Sequence, residues 1–249
     1  VDASYPETRV RLMIDRLNTP YVIAAGSALP TALAADLTQV DPVSDTTFAP
    51  TAGSARTEAY VLFTSGTTGQ PKLISHPDTA LMRFINWQSE TLALGQPIVT
   101  TMMAGLAHDP TLRDVFLPLS HGGSIAVPTP DEMREPCNLR VLLRKSGCNL
   151  LRLSPSSGRL LSTGMSDDEQ LSGLRAIFWG GERLPRKTVD QWRALSPSVR
   201  QFNVFGATET PQAFLVHEVV DDGSRRDIPI GKALPWTGAR LMDEDGRPV

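Results

Sequence analysis

Cysteine is scarce, with two in 249 residues. Cys137 and Cys148 have no metal-ligand spacing and too few companions for a disulfide framework. Two reduced thiols suit a cytoplasmic location. No apolar run approaches the roughly 18 residues that a membrane-spanning helix requires, so no membrane partner is expected. Positive charge is not in excess: 24 Lys and Arg face 27 Asp and Glu, a net charge of −3. That balance gives no basic field to seek nucleic acid. Val1-Asp2-Ala3 opens no signal peptide. What is present is ordinary for a globular chain that buries a sizeable core, with 41% hydrophobic and 20% charged residues. The chain starts without methionine and ends on Asp243-Glu244-Asp245-Gly246-Arg247-Pro248-Val249. That end reads as a hairpin turn cut off before its return strand, as in a piece of a longer polypeptide.

The most informative stretch is Tyr60 to Lys72, YVLFTSGTTGQPK. Tyr60-Val61-Leu62-Phe63 suits a buried strand. Thr64-Ser65-Gly66-Thr67-Thr68-Gly69 then breaks it, and Pro71-Lys72 closes the segment. Glycines let the backbone turn its N–H groups toward one point. Four hydroxyls and one lysine add donors and a positive charge. That combination suits a polyphosphate. The loop is not a Walker loop, which needs Gly-Lys-Ser/Thr in succession; here Gln70-Pro71 separates Gly69 from Lys72.

Around it, hydrophobic periodicity predicts alternating helices and strands. A helix spans Val10 to Leu17, and Tyr21–Ala24 is a short strand. Residues 25–58 read as a surface loop passage with one short helix near Ala32–Leu37. A helix covers Thr79–Leu92, and strand Ile98–Met103 precedes helix Thr111–Leu119. Strands Ser124–Val127 and Asn149–Leu153 and helix Leu139–Lys145 follow. Ser154-Pro155 opens another helix. Strand Leu174–Trp179 ends in Gly180-Gly181, where backbone can approach a flat ligand. Helix Leu184–Leu195 and strand Phe214–Val220 complete the pattern. Asp109 stands just past a strand end beside a helix, where open α/β sheets bind ligands; it would equally serve as a helix cap before Pro110.

Several of these stretches resemble the adenylate-forming enzymes, which include acyl- and aryl-CoA ligases, luciferases and the adenylation domains of nonribosomal peptide synthetases. TSGTTGQPK resembles their signature loop. Residues 1–24 resemble "D-x-x-Y-P-x-x-R", and His76 follows the loop where the family often carries a histidine. Phe202-Asn203-Val204-Phe205-Gly206-Ala207-Thr208-Glu209 resembles "N-x-Y-G-x-T-E". Gly180-Gly181-Glu182 resembles the "G-G/A-E" turn, and Pro229-Ile230-Gly231 resembles "P-I-G-x-P". The resemblance covers nearly the whole chain and is strongest to a peptide synthetase adenylation domain, because Asp109 survives where that family has "F-D-x-S".

The fold so implied is α/β: layered βαβ-type subdomains of the large N-terminal core of an adenylate-forming enzyme, with a partial β-rich C-terminal end and no C-terminal lid. The expected division is helix, strand and surface loop over 1–59, a substrate- and ATP-binding α/β region over 60–213, and the start of a β-rich subdomain over 214–249. The function implied is activation of an amino acid carboxylate with ATP to an aminoacyl-adenylate plus pyrophosphate. The adenylate would load phosphopantetheine on a peptidyl carrier protein domain beside other synthetase domains. An acyl- or aryl-acid ligase and a non-catalytic scaffold are the alternatives.

By the same resemblance Lys72, Thr208 and Glu209 are catalytic, with Glu209 holding Mg²⁺. Thr64, Ser65, Gly66, Thr67, Thr68, Gly69, Gly180, Gly181, Glu182, Asn203, Phe205 and Gly206 bind ATP, Phe205 by stacking on adenine. Asp109 pairs with the α-ammonium group. Pro110, Arg113, Arg152, Phe178, Gly180, Val204, Gln212 and Ala213 line the side-chain pocket. Two arginines there suggest a polar or acidic substrate side chain, unless Arg113 is paired with Asp114 or another acid. Absent are the "Y-x-T-G-D" segment and the lid lysine: Lys72, Lys145, Lys187 and Lys232 are the only lysines, and none lies in such a context.

Overall fold

The computed structural model describes residues 5–23, 38–40, 58–64, 71–93, 95, 97–165, 170–210, 212–220 and 227–249. The chain divides into two compact units, one of Val1–Thr79 with Gly105–His108, the other of Ala80–Ala104 with Asp109–Val249.

In the first unit, helix α1 (Glu7–Leu17) buries Val10 and Met13 and ends at Asn18 in the left-handed region, whose N–H donates to Ile14 O. Strand β1 (Tyr21–Ile23) pairs in parallel with β2 (Thr38–Val40). β2 lies inside the stretch expected to be loop, because a three-residue strand is too short to show a period. The helix expected at Ala32–Leu37 lies outside the described residues. Strands β3 (Tyr60–Thr64) and β4 (Lys72–His76) form an antiparallel ladder with Thr64 opposite Lys72. His76 is buried and stacks on Tyr60, ring centroids 5.0 Å apart, so it packs across the hairpin.

The second unit is built on a seven-stranded sheet. Its strands are β5 (Val99–Thr101), β6 (Ser124–Ala126), β7 (Leu150–Leu153), β8 (Ala176–Trp179), β9 (Arg200–Phe205), β10 (Leu215–Glu218) and β11 (Lys232–Ala233), in the spatial order β11-β10-β9-β8-β7-β5-β6. The five from β6 to β9 are parallel, and β10 and β11 add antiparallel. Residues 215–218 and 232–233, within the stretch expected to start a β-rich subdomain, extend this same sheet. The C-terminal turn also closes within the chain: Met242 bridges Pro248, and Asp243 N–H donates to Arg247 O at 2.9 Å.

Strands β7 and β8 are buried throughout, so both faces are covered, as βαβ crossovers require. Helices α2 (Asp78–Leu92) and α3 (Asp109–Ser120) serve one face. The others are α4 (Pro130–Arg134), α5 (Pro136–Lys145), α6 (Pro155–Ser162) and α7 (Arg186–Leu195). Leu139, Leu143, Leu161, Val189 and Trp192, from α5, α6 and α7, join Leu151, Leu153, Ile177 and Trp179 in the main core on the opposite face. Side chains alternate across a strand, so Arg152, Phe178 and Phe202, which sit in register across β7, β8 and β9, point to the α2–α3 face.

Candidate functional site

Parallel strands put their carboxyl ends on one edge. β5 crosses over through α3 to β6, while β7 leads the other way to β8 and β9, so strand order reverses between β5 and β7. The crevice outside the carboxyl ends at such a reversal is where open α/β sheets take ligands. Asp109 begins α3 there. Its carboxylate accepts from Arg113 Nη2 at 3.3 Å, one helical turn on. Both side chains are largely out of water, 19% exposed for Asp109 and 8% for Arg113. The Arg113 guanidinium carbon lies 5.3 Å from the centroid of the Phe84 ring, a cation–π placement.

Arg152 does something different from what the sequence suggested. It is buried, and its Nη1 donates to Asp114 Oδ1 at 2.5 Å and its Nη2 to Gln88 Oε1 at 3.0 Å. Burial pushes the Asp114 carboxyl above its ordinary value and Arg152 opposes that push. Burial likewise lowers Arg152, which Asp114 holds charged. Arg152 therefore has its carboxylate from the protein. The alternative for Arg113, a pairing with Asp114 or another acid, agrees with the ion pair between Arg113 and Asp109.

Phe178 stacks on Phe202 at 4.8 Å and meets Trp87 edge-on. Val204 lies 3.2 Å from where a Cβ on Gly180 would stand, so these pocket positions are adjacent. Pro110 is half-buried in the first turn of α3. Ala213 is buried, and Gln212 is buried in the left-handed region at φ 63°, a conformation that costs a non-glycine residue on the order of 1 kcal/mol or more.

At the end of β9, Phe205 is 46% exposed and held edge-on by Phe214 at 5.3 Å, which leaves an aromatic surface open at the sheet edge. The loop after it is tied internally: Ala207 N–H donates to Thr210 Oγ1 at 2.8 Å, and Thr210 N–H returns to Ala207 O at 2.9 Å. Thr208 and Glu209 form the tip, with Glu209 exposed. Gly206 is required, since a Cβ would stand 2.4 Å from Gln212 O. Asn203 donates its amide Nδ2 to Ile228 O and Pro229 O at 3.3 and 2.8 Å, which leaves Oδ1 as the group it offers.

Gly181 turns at φ 81°, so the double glycine serves a left-handed turn as well as access. Glu182 accepts from Ser156 N–H at 3.1 Å and Ser156 Oγ at 2.6 Å, at the start of α6. Hydrogen bonding from the Ser156 hydroxyl holds its carboxyl below the ordinary value. It binds a helix N-terminus, a use that sequence reasoning did not foresee.

Lys72 is exposed at the start of β4, and Thr64 is half-buried opposite it; both belong to the first unit. Ser65, Gly66, Thr67, Thr68 and Gly69 lie outside the described residues. Sequence reasoning missed Phe84, Trp87 and Gln88, and weighed Asp114 only as a partner for Arg113. Gln88 left a signal, a polar residue in the apolar stripe Leu81, Phe84, Ile85, Leu92 of α2. Among the described residues no group of three or more His, Cys, Asp or Glu could hold a metal ion. Mg²⁺ asks less than that, because it keeps waters and takes one or two carboxylates with substrate phosphates; the exposed carboxylate of Glu209 fits.

A sequence model of the AMP-binding enzyme family matches residues 2–249. The chain belongs to that family. This AMP-binding enzyme is 34% identical over 167 residues to the L-2-aminoadipate reductase of Saccharomyces cerevisiae, covering 67% of the chain and 12% of that relative. It is 29% identical to the D-alanine–D-alanyl carrier protein ligase of Bacillus licheniformis, over 76% of the chain and 38% of the ligase. Among solved structures it resembles the nonribosomal peptide synthetase FmoA3 bound to AMPPNP (TM-score 0.86, 25% identity, 100% of this chain and 27% of that one). It also resembles PA1221, a synthetase protein with adenylation and PCP domains (TM-score 0.83, 27% identity, 100% and 50%). The chain thus spans a minor part of the curated relatives it matches.

Proposed function

We propose that the chain carries the acid- and nucleotide-binding core of an enzyme that joins an α-amino acid carboxylate to ATP, giving an aminoacyl-adenylate and pyrophosphate. Asp109 carries this reading: a carboxylate at the strand-order reversal, on the mouth of the crevice, is the group that recognises an ammonium. Two of the relatives are named for the α-amino acids L-2-aminoadipate and D-alanine, which supports an amino acid over a plain fatty or aryl acid. The carboxylate itself is the nucleophile, so the protein supplies position and charge stabilisation.

Phe205 offers its open face to the adenine, Asn203 Oδ1 an acceptor, and Thr208 a hydroxyl to the α-phosphate. Glu209 would hold Mg²⁺, which supplies charge neutralisation on the phosphates when bound. Acceptance of the acyl group by phosphopantetheine on a carrier domain is the expected second half of the reaction; the PA1221 protein, with its PCP domain, supports that partnership.

The test is pyrophosphate exchange by the natural polypeptide that carries this chain, over a panel of amino, hydroxy and aryl acids. Exchange with an α-amino acid is expected, and Asp109→Asn should lower its kcat/KM about 10- to 100-fold, the loss of a charged hydrogen bond, with KM for ATP unchanged. Exchange confined to acids without an α-amine would reassign Asp109 to helix capping and make the protein an acyl- or aryl-acid ligase. A folded protein that exchanges with no acid would be a scaffold.

A further inference from the structure

Helix α3 carries a proline in its body, Pro118, buried beside Leu117. A proline has no N–H for the carbonyl four residues back, and its ring presses that carbonyl away from the helix axis. Here that carbonyl belongs to Asp114. Thr100, fully buried on β5, supplies a donor in place of the missing one: its Oγ1 donates to Asp114 O at 2.6 Å. Asp114 is thereby held twice from the sheet. β5 holds its carbonyl through Thr100, and β7 holds its carboxylate through Arg152. Those two strands flank the place where strand order reverses, so the middle of α3 is pinned to both sides of the crevice. Nearer the helix start, Thr111 Oγ1 donates to Ala104 O at 3.1 Å, shortly past β5. Two points fix the direction of a helix axis, and Asp109 begins that axis.

We propose that Thr100 is a positioning residue for the amino acid, on the amino-acid-activating reading above, and that Pro118 is what makes it one. In an unbroken helix the Asp114 carbonyl would be satisfied from within, and α3 could shift on the sheet without losing that bond. Pro118 takes the internal donor away, so the carbonyl keeps a partner while α3 lies against Thr100. A buried carbonyl left without a donor is unfavourable, which opposes every movement of α3 away from β5. Asp109 lies five residues before Asp114, a rise of about 7.5 Å. A tilt of the helix about Asp114 is carried along that length and displaces the carboxylate that meets the ammonium. Thr100 touches no substrate; it acts through the pose of Asp109.

The experiment pairs urea unfolding with amino-acid-dependent pyrophosphate exchange in the natural polypeptide. Thr100→Val keeps the branched shape and deletes the donor, while Pro118→Ala gives the helix back an N–H that reaches Asp114 O. Thr100→Val should lower the urea midpoint and raise KM for the amino acid about tenfold, with KM for ATP unmoved. Adding Pro118→Ala should restore the midpoint, since the carbonyl is satisfied again, yet leave that KM raised, because the tie to β5 stays cut. Thr100→Ser, which retains the hydroxyl, should return both toward wild type. With a merely structural Thr100, KM would recover together with the midpoint in the double variant, and that result overturns the proposal. So does a folded Thr100→Val protein whose KM for the amino acid is unchanged, or whose KM for ATP rises equally. These failures leave the amino-acid-activating reading intact. A wild-type protein that exchanges with no amino acid removes that reading and this proposal with it.

Discussion

Arg152 and Asp114 form a buried pair whose satisfaction is incomplete. Arg152 Nε, Asp114 Oδ2 and Gln88 Nε2 are buried with no hydrogen-bond partner among the described residues. Desolvation of two ions is repaid only when every lone pair and proton is met, so this pair orients α3 more than it stabilises the fold. Its sign under mutation follows. Arg152→Met leaves the Asp114 carboxylate buried without its cation and should cost about 3–5 kcal/mol in urea unfolding. The double variant Asp114→Leu with Arg152→Met removes both charges and should recover most of that loss. A double variant as unstable as the single would show that packing, not charge, sets the cost. Asp114 sits five residues beyond Asp109 on α3, and Thr100 Oγ1 donates to its carbonyl at 2.6 Å. The same double variant should therefore raise KM for the amino acid while KM for ATP holds.

The loop between β9 and β10 folds back on itself, and Gly206 is where it does so. A methyl group there would stand 2.4 Å from Gln212 O and 3.0 Å from Ala213 Cα. Both are backbone atoms that cannot swing aside, so Gly206→Ala must displace the segment that presents Thr208 and Glu209. The expected result is a Kd for AMP raised about tenfold or more, an overpacking cost of about 1–3 kcal/mol, with tryptophan fluorescence of the folded state unchanged. Unaltered AMP affinity would remove this loop from the nucleotide site. Most strands and helices were legible in the sequence, because apolar runs bounded by Gly and Pro state where an element begins and ends. Other parts were not. β2 has three residues and exists by pairing with β1, information that lies 17 positions upstream. α4 escaped notice although its capping box, Thr129 with Glu132, was there to be read. Arg152 looked available to substrate because its partner is 38 residues away on a helix, and no local pattern announces such a pair.

Cys148 tests the second unit as a cooperative body. It stands just before β7, at the amino end of that strand, and Thr101 Oγ1 donates to its sulfur at 3.3 Å. Burial pushes its thiol up from the ordinary 9.0 to about 11, the hydrogen bond from Thr101 opposing in part. Below pH 9 the thiol is protonated in both folded and unfolded chains and stability is unaffected. Between 9 and 11 the unfolded chain releases its proton while the folded chain keeps it, so the unfolded state binds fewer protons and stability falls as pH rises. The loss saturates near two pH units, on the order of 2–3 kcal/mol. All four tryptophans, Trp87, Trp179, Trp192 and Trp236, lie in this unit, so their fluorescence in urea reads its unfolding without contribution from the other. Cys148→Ser should flatten the curve between pH 9 and 11, while Cys137→Ser, at an exposed position, should leave it in place. A slope that survives Cys148→Ser would assign alkaline destabilisation to other groups. Loss of the slope would tie the stability of this unit to one buried thiol at the amino end of β7.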